Sequence, residues 1–201
     1  MNDLFKIIVV GWLMYEFGKN KQLPQGYEMQ ALQALSYYPE LKDIEIHFLI
    51  QPAWIPLSSR PHPWRLLLSW KKRIYLVVIS SKTVDFMEPI LLKNLPYNAQ
   101  VGVLGHELAH TVHYLDKSGP SLAWTAGSYL NSSFRRKFER DTDKRAIAHG
   151  LAYQLYDFAV FVRQQFEKLE EVPSGMEEAE DSYLSPEEIL EEMKQYDFYG
   201  E

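Results

Sequence analysis

The chain has 201 residues, which is enough for one hydrophobic core and too few for two domains of ordinary size. Its contents of 46% hydrophobic and 24% charged residues are typical of a folded globular protein and exclude disorder of the whole chain. The absence of cysteine excludes disulfides, thiolate nucleophiles and thiolate metal ligands, so that any metal must be bound by His, Asp or Glu.

Charge is distributed unevenly along the chain, whose net charge is −6. Residues 167–201 carry 13 of the 27 acidic side chains and two of the 21 basic ones, so their net charge is −11 and that of the remaining chain is +5. We therefore predict one domain over residues 1–171, followed by an acidic linker and C-terminal helix over residues 172–201. The opposite charges suggest that the acidic tail acts in cis and restrains the domain. The net acidity argues against a nucleic-acid partner.

An apolar segment lies near the N-terminus, between Leu4 and Phe17. It is interrupted by Lys6 and Glu16, is too short for a transmembrane segment, and lacks the basic leader and small-residue cleavage site of an export signal. We predict a helix or strand that packs on the domain, and a cytoplasmic location. Attachment of residues 4–17 to a membrane surface, a remnant export signal and a periplasmic location are the open alternatives.

Hydrophobic periodicity predicts a small sheet in the first half of the chain. Residues 27–38 have a helical pattern that Pro39 ends, and residues 44–50 alternate between apolar and polar side chains as a half-buried strand does. Residues 64–69 and 73–80 are two strand-like runs joined by a basic turn, which predicts a hairpin. The second run is rich in β-branched and aromatic residues on both faces, which indicates a strand buried between two layers.

Two main helices are predicted in the second half of the chain. Pro96 suits the first turn of a helix over residues 97–115, and a longer helical pattern extends over residues 134–171. Ser185 and Glu188 form a capping-box pattern that predicts a short terminal helix. We expect an α+β fold in which a mixed or antiparallel sheet of about three strands packs on the first helix and on the long second one.

The first of these helices contains His106-Glu-Leu-Ala-His110, an HExxH pattern. Residues four apart lie on one face of a helix, so both imidazoles can bind a single ion. Glu107 lies about 100° further round the helix, where its carboxylate can act as a general base without binding the metal. Zinc accepts two such neutral nitrogens and, with three protein ligands, keeps a position open for water. The pattern therefore predicts a hydrolytic site with one Zn²⁺ ion.

A third metal ligand is expected from the second helix. Glu139 and Asp143 lie about 40° apart on a helical wheel and share their face with core-type residues such as Ala146 and Ile147. Buried carboxylates need a cation or strong hydrogen bonds. We predict that Glu139 is the third ligand and that Asp143 accepts the other ring N–H of a ligand histidine. The alternative is that both acids are solvated among the basic side chains around them.

The chain resembles the gluzincin zinc metallopeptidases, whose signature of HExxH followed by ExxxD on a later helix is matched by His106, Glu107, His110, Glu139 and Asp143. The resemblance is to the minigluzincins and to the HtpX-like and CAAX-prenyl peptidases, and it spans residues 44–165. It implies a zincin-like fold and zinc-dependent hydrolysis of peptide bonds. It also implies a peptide or protein substrate bound along strand 73–80 by β-addition. HtpX-like proteins carry membrane helices, whereas no transmembrane helix is predicted from this sequence.

Other interpretations of the HExxH pattern place the third ligand elsewhere. The metzincin pattern would use Asp116, but its turn requires glycine where this chain has His113, which we expect on the helix surface. A SprT-like site would use a downstream histidine, and His149 is the one that follows. A fold kept as a catalytically inactive or latent binding module is a further alternative. The candidates for a side chain that stabilises the oxyanion or contacts the substrate are His149, Tyr114 and Tyr153.

A run of basic and aromatic residues precedes the predicted buried strand and consists of Arg60, Trp64, Arg65, Trp70, Lys71, Lys72 and Arg73. Such runs occur on nucleic-acid surfaces, but the solvated ends of a hairpin are the more common explanation. We expect the tryptophans of this region, together with Trp54 and Trp124, in the core or in the wall of a cleft.

Overall fold

A computed structural model describes residues 3–66, 68–169 and 181–200, with side chains from residue 8 onward. The fold is α+β, as predicted, with a small mixed sheet packed against helices. The helices are α1 (Asp3–Phe17), α2 (Glu28–Ser36), α3 (Tyr97–Leu115), α4 (Gly119–Ser128), α5 (Ser132–Ala148), α6 (Ala152–Phe166) and α7 (Pro186–Met193). The strands are β1 (Lys21–Gln22), β2 (Glu45–Gln51), β3 (Leu57–Pro61) and β4 (Ile74–Ser80).

The sheet has the strand order β1-β2-β4-β3. β1, β2 and β4 run parallel, whereas β3 is antiparallel to β4 and forms one edge. Every residue of β4 is buried, as its apolar sequence predicts, because strands flank it on both sides. The core lies where α3 packs against β3, α2 and α6, which places α3 at the centre of the domain.

The predicted hairpin is wrong in its first strand. β4 pairs with Leu57–Pro61, and the residues expected in the first strand form 3-10 turns at Pro63–Arg65 and Trp70–Lys72. The sequence of β3 contains no β-branched or aromatic residue, so its conformation depends on pairing with β4 rather than on its own pattern. A substrate cannot pair with residues 73–80 as predicted, because β4 pairs with β2 on one side and with β3 on the other; β1 and β3 are the edge strands.

The helix over residues 97–115 is confirmed as α3, and the helix predicted over residues 27–38 is the shorter α2. The terminal helix α7 begins at the predicted capping box. Ser185 accepts a hydrogen bond from the backbone N–H of Glu188, whose side chain accepts one from the N–H of Ser185 in return. The predicted linker over residues 172–180 lies outside the described residues.

The single helix predicted over residues 134–171 is wrong, because Gly150 divides it into α5 and α6. Gly150 has a φ of +96°, a conformation that favours glycine. Its N–H bonds to the carbonyl of Ile147 at 2.9 Å, and the N–H of Leu151 bonds to the carbonyl of Ala146 at 3.1 Å. This glycine cap ends α5 and turns the chain into α6. Residues 170 and 171 lie outside the described residues.

The apolar N-terminal segment forms α1, which packs on α2 and buries Leu13. Ile8, Trp12 and Tyr15 of the same helix are exposed. Over the described ranges, no helix combines the length and the hydrophobicity that crossing a membrane requires, which agrees with the prediction of no transmembrane segment.

Helices α3 and α6 come close together at Gly102, where an added Cβ would lie 2.3 Å from the carbonyl oxygen of Gln154. We expect Gly102→Ala to lower the free energy of unfolding by about 1–3 kcal/mol, because the two helices would have to move apart. Gly127 in α4 is the matched control, since an added Cβ there meets no atom within 4 Å. Gly127→Ala should be neutral or stabilising by up to about 1 kcal/mol. Urea denaturation measures both, and equal effects would contradict the close contact.

Candidate metal centre

The HExxH residues lie in the buried middle of α3. His106, Glu107 and His110 are each 5–6% exposed, because β3, α2 and α6 pack around this part of the helix. The buried Tyr38 donates a hydrogen bond of 2.7 Å to the carbonyl of Gly105, immediately before the motif. The backbone that carries the two histidines is therefore held from several sides.

Helix α5 brings Glu139 to the two imidazoles. Glu139 Oε2 lies 2.9 Å from His106 Nε2 and 3.1 Å from His110 Nε2, and the Glu139 side chain is buried. Within the described part of the chain, this is the one group of His, Asp and Glu side chains whose possible ligand atoms converge, all within 4.8 Å of one another. The three residues predicted as metal ligands thus meet from two helices.

Hydrogen bonds on the far side of each imidazole orient the two Nε2 atoms. Asp143 Oδ1 lies 2.7 Å from His106 Nδ1, the contact predicted for this acid. Thr142 donates its hydroxyl proton to the carbonyl of Phe138, so its oxygen accepts from His110 Nδ1 at 3.2 Å. Each Nδ1 then carries the proton of a neutral imidazole, and each Nε2 presents a lone pair to the centre.

Two Nε2 lone pairs and the Glu139 carboxylate therefore face one another, and acceptors this close repel unless a proton or a metal cation lies among them. Burial lowers the pKa of His106, but Asp143 and Glu139 together raise it well above its usual range. Burial raises the pKa of Glu139, but the charge of His110 and the hydrogen bonds of both histidines hold it well below its usual range. The site thus has a strong affinity for positive charge.

A tyrosine that the sequence analysis did not identify completes the hydrogen bonds of Glu139. Tyr129, just after α4, donates its hydroxyl to Glu139 Oε1 and leaves Oε2 directed at the histidines. Burial, and after it the negative charge of Glu139, raises the pKa of Tyr129 well above its usual range, so the phenol stays a donor. Neither Tyr129 nor Thr142 belongs to a ligand motif, so no sequence pattern could have identified them.

The C-terminal segment also reaches this centre. The backbone N–H of Leu184 donates to Asp143 Oδ2 at 2.9 Å, while the other oxygen of this carboxylate holds His106. The ring centroid of Tyr183 lies 5.5 Å from that of His106, and Tyr183 lines the cavity together with His110 and Glu139. Neither contact could be predicted, because nothing in the local sequence indicates where the tail docks.

Glu107 occupies a position suited to a general base. Its side chain is buried beside His106 and His110 but is not part of the converging ligand group. Burial raises the pKa of Glu107 above its ordinary value. Its Oε2 atom has no hydrogen-bond partner among the described residues, and the side chain lines the cavity. A buried carboxylate oxygen without a protein partner is placed to bind water or a ligand.

A cavity of about 390 Å³ opens above these groups. Glu107, His110 and Glu139 lie on its wall, together with apolar side chains of β3 and α4 such as Leu57 and Leu122. A volume of this size is typical of small-molecule and peptide-side-chain sites. The cavity therefore gives the candidate centre access to a substrate.

The free edge of β3 borders this cavity. Ser80 N–H bonds to the carbonyl of Pro56, and His62 N–H bonds to the carbonyl of Ile74. In an antiparallel pair, every second residue directs its backbone groups at the partner strand, so the even-numbered residues of this segment face β4. The backbone groups that point away from β4 are therefore those of residues 57, 59 and 61. All three residues line the cavity, but the Ser59 carbonyl accepts from Tyr114 and Pro61 has no N–H, so Leu57 offers the backbone N–H and C=O to an extended chain at this edge.

Of the residues predicted to stabilise the oxyanion or contact a substrate, Tyr114 lies at the site and His149 does not. Tyr114 lines the cavity, stacks 6.3 Å from the ring of His110 and donates to the Ser59 carbonyl at 3.4 Å. The prediction of His149 as an oxyanion or substrate contact is wrong, because its Nε2 is 2.8 Å from Glu40 and its Nδ1 bonds to the carbonyl of Arg145. The same contacts exclude His149 as the third metal ligand of a SprT-like site.

Tyr153 and the metzincin residues also lie away from the ligand group. Tyr153 is exposed and packs on Tyr199. Asp116 is the C-cap of α3 and does not converge with the histidines. His113 packs edge-on against Phe138, and burial lowers its pKa to about 4, so it is a neutral packing residue.

The contact of Asp143 with His106 leads to a testable expectation. Asp143→Asn should lower the affinity for zinc by roughly 10–100-fold, because a neutral amide oxygen is a weaker acceptor than the carboxylate for the proton on His106 Nδ1 and the imidazole becomes a weaker ligand. Competition with a chromophoric chelator measures this affinity. Asp141→Asn is the control, since Asp141 lies on the same helix but pairs with Lys137 at the surface. Equal zinc affinities in the two variants would contradict the orienting role of Asp143.

Comparison with known proteins does not identify a relative: no family model, no curated protein and no solved structure matches the chain. Its function must therefore be argued from the geometry and chemistry of the site itself.

Proposed function

We propose that this protein is a zinc-dependent peptidase in which His106, His110 and Glu139 bind one Zn²⁺ ion and Glu107 is the general base. The observation that carries the proposal is the convergence of three acceptor atoms within 4.8 Å, beside a buried carboxylate oxygen that has no partner among the described residues. Glu107 and two of the three ligand residues, His110 and Glu139, lie on the wall of one cavity, where a substrate can reach them.

The donor set suits zinc. Two neutral imidazole nitrogens and one carboxylate oxygen form the ligand set of hydrolytic zinc sites, and bonds of about 2.0–2.1 Å at tetrahedral angles separate ligand atoms by about 3.3 Å. The distances of 2.9 and 3.1 Å from Glu139 Oε2 to the two Nε2 atoms are close to this separation. No fourth protein ligand converges with them in the described ranges. Zinc held by three protein groups supplies a Lewis acid and an acidified water molecule.

The residues around the ligands transfer the proton and orient the imidazoles. Glu107 takes the proton of the attacking water at its free oxygen and returns it to the nitrogen of the leaving amine. Burial raises the pKa of Glu107, which makes its carboxylate a stronger proton acceptor than an exposed one. Asp143 and Thr142 keep the two imidazoles in the tautomer that binds metal.

A peptide substrate binds in an extended conformation against β3 rather than β4. The backbone groups of Leu57 do not pair with β4 and border the cavity, whereas the Ser59 carbonyl accepts from Tyr114 and Pro61, which lacks an N–H, ends the strand at the same edge. This geometry brings a bound peptide across Glu107 and the ligand group.

A latent enzyme or a binding module is the second candidate function. Tyr183 supports it, because its ring lies on the cavity wall beside His106 and takes space that a substrate would use. The acidic tail that carries Tyr183 would then act in cis as a restraint.

Metal analysis of the purified protein tests the proposal. The protein should contain one zinc per chain, and Glu139→Ala should lose it, because two histidines alone bind zinc weakly. Asp141→Ala is the matched control on the same helix and should keep the metal, since its carboxylate is exposed and pairs with Lys137. Equal zinc contents in the two variants, or none in the unmodified protein, would disprove the metal site.

A further inference from the structure

The segment between β2 and the end of β4 has an unusual charge distribution. Residues 46–84 contain no Asp or Glu, although the chain has 27 such residues, and they contain six Lys or Arg residues. The overall negative charge therefore conceals a purely basic segment. This segment includes β3, the edge of the candidate active site.

Large apolar side chains of the same segment are exposed. Trp54 and Trp64 are 82% and 91% exposed, and Ile55 and Leu68 are also exposed. The expectation that Trp54 and Trp64 lie in the core or the cleft wall is therefore wrong. Trp54 and Ile55 lie just before β3, and Trp64 and Leu68 lie just after it, so exposed apolar side chains flank both ends of this edge strand. Exposed apolar surface of this kind marks interaction sites.

The basic side chains around these residues lack acidic partners. Arg60, Arg65, Lys71 and Lys72 are exposed, and none of them forms an ion pair with a carboxylate among the described residues. Arg73 differs, because it is buried and bonds to backbone carbonyls. The charge of the four exposed residues is therefore available to an external anion.

We propose that these residues form a surface that binds anionic lipid bilayers. This basic tryptophan surface consists of Trp54, Ile55, Trp64 and Leu68 with Arg60, Arg65, Lys71 and Lys72. Tryptophan prefers the boundary between headgroups and acyl chains, and each Lys or Arg at an anionic membrane contributes roughly a fivefold gain in binding. Exposed Ile55 and Leu68 favour a lipid over a nucleic acid, which offers aliphatic side chains no apolar phase.

The surface adjoins the cavity, because Ile55 and Arg60 belong to both. Binding to a bilayer would therefore place the cavity at the membrane boundary. Under the proposed peptidase function, the substrates would be polypeptide segments that emerge from a membrane or lie on it. The lipid binding itself does not depend on zinc or on turnover.

Co-sedimentation of the full chain with phosphatidylcholine vesicles, with and without phosphatidylserine, tests the proposal. We expect binding to the vesicles that contain phosphatidylserine, and loss of that binding at high salt. Replacing Trp54 and Trp64 together by Ala should weaken binding by more than about tenfold, as should Lys71→Glu with Lys72→Glu. All four side chains are exposed, so the variants should keep the thermal stability of the unmodified protein.

Two control variants separate this surface from the rest of the molecule. Trp12→Ala removes an exposed tryptophan of α1, and Lys137→Glu reverses an exposed charge of α5; both should bind vesicles as the unmodified protein does. If the protein bound neither kind of vesicle, the proposal would be overturned. Loss of binding in Trp12→Ala alone would overturn it too. So would tighter binding to a single-stranded oligonucleotide that depends on the same four residues. Failure of zinc binding or of hydrolysis would refute only the peptidase function.

Discussion

Replacing Glu107 with Gln is expected to lower kcat for peptide hydrolysis by about 10²–10⁴-fold while one zinc per chain is retained. Gln has nearly the shape of Glu, but its amide cannot accept a proton from water. Zinc should remain, because Glu107 does not belong to the group of converging ligand atoms. Folding should not suffer, since the change removes a buried carboxylate whose burial already raises its pKa.

Kinetics with a quenched fluorescent peptide and zinc analysis of the same preparations measure this prediction. Asp141→Asn removes an exposed carboxylate of α5, away from the cavity, and should change neither quantity. Unchanged turnover in Glu107→Gln would exclude this residue as the base. Loss of zinc together with turnover would assign it a structural role instead. Equal peptide affinities of Glu107→Gln and the unmodified protein, with no hydrolysis by either, would favour the binding module.

The centre of the fold could be predicted because its signals are local. Pro96 marks the start of α3, and the spacing of His106 and His110 places both on one face whatever surrounds the helix. Glu139 and Asp143 were identified by a different argument, that two acids on an apolar helix face need a cation. The structure places them beside the two histidines.

The parts that sequence analysis missed depend on tertiary contacts. β3 has no strand pattern of its own and is defined by its pairing with β4. A single glycine, Gly150, separates α5 from α6 while the apolar periodicity continues across it, so the pattern alone suggested one helix. The hydroxyls of Thr142 and Tyr129 bond to His110 and Glu139, but isolated hydroxyl residues carry no signal until the fold brings them there.

Removing the C-terminal tail should destabilise the protein rather than activate it. In a chain that ends at Glu171, we expect a lower midpoint of thermal unfolding and weaker zinc binding. Leu184, Ile189 and Met193 belong to the core, and burial of each contributes roughly 1.5–3 kcal/mol. The same truncation removes the backbone N–H that holds Asp143 Oδ2.

Ion pairs between the acidic tail and the basic side chains of α5 also contribute to docking of the tail. Arg140 donates two hydrogen bonds to the carboxylate of Glu188, and Lys144 Nζ lies 3.0 Å from Glu192 Oε2. Each pair has one exposed partner, Glu188 in the first and Lys144 in the second, so each is worth little compared with the buried apolar contacts. Thermal unfolding at low and high salt should therefore differ only slightly, because the apolar contacts of the tail do not depend on ionic strength.

Tyr183→Ala separates restraint of the active site from stabilisation of the fold. The Tyr183 side chain is partly exposed and lies on the cavity wall beside His106, so its loss should enlarge the cavity and leave the core intact. If the tail restrains the enzyme, kcat/KM for a peptide should rise severalfold at unchanged zinc content and thermal stability. Phe198→Ala, which removes another exposed aromatic side chain of the tail, should leave kcat/KM unchanged. A fall in kcat/KM for Tyr183→Ala with zinc retained would contradict restraint and make Tyr183 a residue that contacts the substrate.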